Sequence, residues 1–107
     1  MQKEELLDLC KDFNILTNGN DVIVYHATSK EKATKIIESQ MMFGKEDGLF
    51  FSNIPNGEIG GYGDSIIEIE IPFSKIILDD QFSNELHFRM PCAPNKYYKI
   101  KAKIYKH

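Results

Sequence analysis

The segment from Asp21 to Ser29, Asp-Val-Ile-Val-Tyr-His-Ala-Thr-Ser, constrains this chain more than any other. Val22, Ile23 and Val24 are β-branched with no polar residue among them, the pattern of a strand covered on both faces. Tyr25 prolongs it. Thr28 has an N-cap side chain and Glu31 follows at capping-box spacing, so the strand is expected to end at His26 and a helix to begin beside it. One histidine is thereby held between a rigid strand and a helix N-terminus. Alone in that position a histidine is usually structural, so its meaning depends on what the rest of the chain brings near it.

With 107 residues the chain has room for one core, and a single domain over residues 1–107 is expected. A hydrophobic share of 42% beside 27% charged residues fits an ordinary globular protein and neither disorder nor a coiled coil. The net charge of -3 exerts no general pull toward nucleic acid or an anionic membrane. No apolar run reaches spanning length, and Met1-Gln2-Lys3-Glu4-Glu5 lacks the apolar core of a signal peptide. The expectation is a cytoplasmic protein with no membrane partner. Cys10 and Cys92 lack metal-ligand spacing and read as free thiols, with a single disulfide left open. His26, His87 and His107 show no ligand spacing either, so no metal is expected.

Leu6, Leu9, Cys10 and Phe13 repeat at helical spacing and predict a short amphipathic helix from about Glu4 to Phe13. Asn18-Gly19 marks a turn before the first strand, and Ala33, Ile36, Ile37 and Gln40 predict a helix over about 29–40. Met41 to Phe43 closes that helix or forms a short strand. Gly48 to Ser52 reads as a second buried strand. The loop Asn53 to Gly63 then holds four of the seven glycines, with a helical turn expected from Pro55. Ser65 to Ile71 alternates as a strand stopped by Pro72, and Ile76 to Leu78 is a short apolar run, a strand or a helical turn, ahead of a loop over 79–84. Glu85 to Met90 alternates again, with Glu85, His87 and Arg89 on one face, where a second reading pairs Arg89 and His87 with Glu85 or with Asp79 and Asp80 as a structural salt-bridge cluster. Tyr97 to Tyr105 predicts a closing strand with Tyr98, Ile100, Ala102 and Ile104 inward and a lysine row outward, as on a protected edge. The sum is an α+β domain with one or two N-terminal helices and short connections unsuited to parallel crossovers.

Three segments acquire meaning as a set. Tyr25-His26-Ala27-Thr28-Ser29, the aromatic strand Gly48-Leu49-Phe50-Phe51-Ser52 followed by Tyr62, and Ser83-Asn84-Glu85-Leu86-His87-Phe88 occur in the order histidine, tyrosine, glutamate. In this the chain resembles the ADP-ribosyltransferases of the diphtheria-toxin and poly(ADP-ribose) polymerase branch. The resemblance spans about Val22 to the C-terminus and implies that family's small split-sheet core. It also implies cleavage of the nicotinamide–ribose bond of NAD+ and transfer to a macromolecular acceptor, a protein ahead of a nucleic acid, or else outright hydrolysis of NAD+. Glu85 would stabilise the oxocarbenium-like transition state and orient a ribose hydroxyl or the acceptor. His26 would fix the other ribose, and Tyr62 would stack on the cationic nicotinamide. Backbone groups at Ala27 would hold the carboxamide, with Thr28, Phe50 and Ser52 completing the cofactor site.

Two positions depart from the family's pattern: Ala27 replaces the usual glycine, and Phe50 keeps a stacking surface while losing a hydroxyl. They leave open a second function, a binding module with a decayed site that acts as inhibitor or adaptor. Arginine usage separates relatives. Twelve of the 13 basic residues are lysines and Arg89 is the sole arginine, which disfavours the cholera-toxin-like branch and the RNA 2′-phosphotransferases, both reliant on arginines. Glu68-Ile69-Glu70 imitates the former's Glu-x-Glu but reads as a solvated strand face. By analogy of size alone, the setting would be a toxin, a phage-encoded modifier or an antidefence protein.

Overall fold

A computed structural model describes residues 1–57 and 61–106. Helix α1 (Lys3–Asp12) precedes strands β1 (Leu16–Asn18) and β2 (Asp21–Thr28), joined by a turn in which Gly19 adopts φ 63°. Helix α2 (Lys30–Ser39) leads to β3 (Met41–Phe43), β4 (Leu49–Ser52) and β5 (Ser65–Pro72). A 3-10 turn (Phe73–Lys75), β6 (Ile77–Phe82), β7 (Glu85–Met90), β8 (Tyr97–Lys99) and β9 (Lys101–Lys106) complete the chain. The architecture is α+β. A seven-stranded antiparallel sheet runs β6-β7-β4-β2-β5-β9, with β1 also paired to β2, and β3 pairs β8 separately. Among the described residues no helix is long and apolar enough to cross a membrane.

One face of the large sheet carries the core. Val22 and Val24 of β2, Leu49 and Phe51 of β4, Ile67, Ile69 and Ile71 of β5, and Leu86, Phe88 and Met90 of β7 share it, sealed by Leu6 of α1 and Ala33 of α2. A side-chain period of two sends Phe50, Ser52, Glu85, His87 and Arg89 to the opposite face. There, Glu68 and Glu70 of β5 meet Lys103 and Asn18, which makes them the partly solvated row that alternation predicted. Cys10 and Cys92 are both free.

Four local expectations change. β2 continues through Thr28 because Ala27 and Thr28 pair with Ile66 and Ser65, so His26 lies inside the strand and the N-cap passes to Ser29, whose Oγ accepts from the Lys32 N–H at 3.2 Å. The expected loop over 79–84 is mostly strand: β6 forms a hairpin with β7 through Ser83, which takes a left-handed φ of 57°. Because β6 is exposed along its whole length, no hydrophobic alternation advertised it. The closing strand breaks at Ile100 and serves two sheets. Gln40, left-handed at φ 55°, forms the break: its carbonyl accepts from Ile100 N–H, while its side-chain amide bonds both Ala102 N–H and Ala102 O. Ile104, expected inward, is exposed on the edge strand. Asn53 to Gly57 forms bends and a turn rather than a helical turn from Pro55, and residues 58–60 of the glycine-rich loop lie outside the described residues.

Candidate functional site

β2 and β4 are registered only at Tyr25 and Ser52, and beyond that point they diverge. The split opens a cleft of about 560 Å³, within the range of small-molecule sites. His26, Ala27 and Thr28 line it from β2, Leu49, Phe50 and Phe51 from β4, and His87 from β7. Tyr62 stands at its mouth, 79% exposed, and Phe50 is also exposed. Lys32 and Lys45 add positive charge, while Asp79, Asp80 and Phe82 of β6 complete the wall.

His26 bridges the split. Its Nδ1–H donates to the Phe50 carbonyl at 3.0 Å, and its ring lies tilted against Phe51 with centroids 5.8 Å apart. A carbonyl only accepts, so the bond fixes the proton on Nδ1 of the neutral ring and leaves Nε2 as an acceptor. Burial lowers the pKa of His26 below its ordinary value; the bond to Phe50 opposes this, and Lys45 and Lys32 reinforce it.

Glu85 and Ser52 do not line the cleft. Glu85 is 4% exposed, and its Oε2 accepts from Ser52 Oγ at 2.9 Å and from His87 Nε2 at 2.6 Å. Ser52 Oγ in turn accepts from the Ile54 N–H at 3.2 Å, which orients the hydroxyl toward the carboxylate. Gly57 seats its backbone against the same group: a Cβ there would fall on the Glu85 carboxyl. Asn53 secures the start of β7, its Oδ1 accepting from Leu86 N–H at 2.8 Å and its own N–H donating to the Leu86 carbonyl. Further along β7, Arg89 Nε donates to Asp79 Oδ1 at 3.2 Å, so the sole arginine is committed to an ion pair.

The structure therefore brings His26, Ala27, Thr28, Phe50 and Tyr62 to one cleft and places Glu85 and Ser52 behind it, with His87 between Glu85 and the cavity. Lys32, Lys45, Asp79, Asp80, Phe82 and His87 were not assigned to a site by their sequence positions. His87 carried a signal in its period-two spacing from Glu85, and Asp79 and Asp80 as expected ion-pair partners of that strand face, which the Arg89–Asp79 pair bears out. Among the described residues no group of three or more His, Cys, Asp or Glu is placed to hold a metal ion. No protein-family model, no curated protein and no solved structure matches this chain.

Proposed function

We propose that the chain is a mono-ADP-ribosyltransferase that takes NAD+ into this cleft, cleaves its nicotinamide–ribose bond and modifies a protein or nucleic-acid acceptor. The observation that carries the reading is the convergence of the three resemblance segments. The strands of His26, Phe50 and Glu85 are consecutive in one sheet, although the residues lie up to 59 positions apart in the chain (85 − 26). The cleft's chemistry supports it. His26 Nε2 is set to accept from a ribose hydroxyl, Lys32 and Lys45 stand at the same end to meet phosphate oxygens, and Tyr62 and Phe50 offer aromatic faces to a cationic ring. Carboxylate charge near the ribose favours the oxocarbenium-like transition state.

A second reading, a binding module with a decayed site, draws on the burial of Glu85 behind Ser52 and His87. One experiment separates the two. NAD+ is titrated into the protein by calorimetry, and released nicotinamide is then measured with and without a lysate of acceptor proteins, for wild type and Glu85→Ala. The transferase reading expects binding, release by wild type, and a loss of about 10²–10³-fold in the variant with the fold retained. Binding without release in either condition favours the module, and an absence of binding removes NAD+ from both.

A further inference from the structure

The Glu85 carboxylate meets the cleft through an imidazole. Nε2 of His87 donates to Glu85 Oε2 at 2.6 Å, while His87 itself lines the cavity. With the proton held on Nε2, the basic nitrogen is Nδ1, which has no hydrogen-bond partner among the described residues. Ser52, oriented by Ile54 N–H, and the backbone of Gly57 hold the carboxylate in place from behind. A nucleophile's base, oriented by a buried acid that is itself braced, is an arrangement that activates hydroxyl groups.

We propose that His87 is the general base of the reaction, with Glu85 and Ser52 as its positioning residues; this rests on the NAD+ reading above. As the oxygen of an acceptor hydroxyl or of water bonds to ribose C1′, its proton passes to His87 Nδ1. The C1′–N1 bond breaks, and its electron pair leaves with nicotinamide, which becomes neutral. Glu85 then holds the imidazolium through Nε2–H, and water later removes the extra proton. No electron changes hands. Among the described residues, the charged groups facing His87 are Glu85 on its own strand, followed by Arg89, and Asp80 directly across the ladder on β6, beside the Asp79 that engages Arg89. β4 brings only Ser52 and Phe50 to that face, and Lys32, Lys45 and His26 share the cleft.

The test uses the full chain with NAD+ and water as acceptor, reading nicotinamide release. His87→Gln can still donate to Glu85 but cannot take a proton. Its kcat is expected to fall about 100-fold or more with KM for NAD+ little changed, and the acid limb of the wild-type pH profile is expected to disappear. In His87→Ala, added imidazole is expected to restore part of the rate, which a merely structural role would not allow. A His87→Gln variant active at the wild-type rate, or one that retains the acid limb, overturns the proposal. Should His87→Gln fail to fold by circular dichroism, the wild-type profile decides, and the absence of an acid limb there overturns it. A wild type that releases no nicotinamide removes the NAD+ reading and this proposal with it, a result distinct from an active wild type beside an equally active variant.

Discussion

His26 and His87 line one cleft from strands on either side of β4, and their partners differ in charge. The ring of His26 donates to a backbone carbonyl, rests on Phe51 on the core face of the sheet, and has lysines as its charged neighbours. The ring of His87 donates to a buried carboxylate on the opposite face, with Asp80 across the ladder. A carbonyl orients an imidazole without adding a counter-charge; a carboxylate orients it and also supplies one for a proton it gains. The same residue type thus has a neutral partner in one place and an anionic one in the other.

The comparison breaks most readily at Phe51. Phe51→Ala removes a fully buried ring that is also the wall beside His26, and it should cost about 3–5 kcal/mol in urea unfolding. In the folded fraction the imidazole NMR signals of His26 should move while those of His87 stay. Gly57→Ala acts at the other end. A methyl group driven onto the Glu85 carboxyl should cost about 1–3 kcal/mol and shift the His87 signals with little change at His26. Equal shifts in both rings for either variant would mean that the two ends are not independent.

The acid sensitivity of folding separates the histidines further. The pKa of His26 is lowered in the folded state from 6.5, so below that value the unfolded chain binds more protons than the folded one. The stability associated with its neutral form is present above pH 6.5 and is lost as pH falls through that value toward the folded pKa. His26→Asn should flatten this part of the dependence of urea midpoints on pH and lose about 0.5–1.5 kcal/mol at neutral pH through the bond to Phe50 O. The smallest effect is expected at Lys45. If phosphate oxygens lie at the His26 end, Lys45→Ala should weaken NAD+ binding by about 0.2–1 kcal/mol in calorimetry, a difference that shrinks as salt is added.

Much of the architecture was written in local pattern. The both-faced apolar run at Val22 to Val24, the alternation of Ile67, Ile69 and Ile71, and that of Leu86, Phe88 and Met90 each specified a strand and the face it buries, because side-chain period and burial are local properties. The residues of the candidate site were legible as types in order, His26, Phe50, Tyr62 and Glu85. What each touches was not. Whether β2 stops at His26 or runs on to Thr28 depends on Ile66 and Ser65, some 40 positions away, and whether the closing strand is one or two depends on where Gln40 can reach. Beyond its apolar start at Ile77 and Leu78, β6 left no trace, because an exposed edge strand buries nothing that could pattern its sequence. Glu85 shows the division most sharply. Its place at the start of a strand follows from the residues around it, but only the register of β4 against β7 sets Ser52 and His87 around its carboxylate and puts an imidazole, rather than the acid, on the cleft. Hydrophobic periodicity determines which face a side chain takes; pairing between distant strands decides which polar groups meet there.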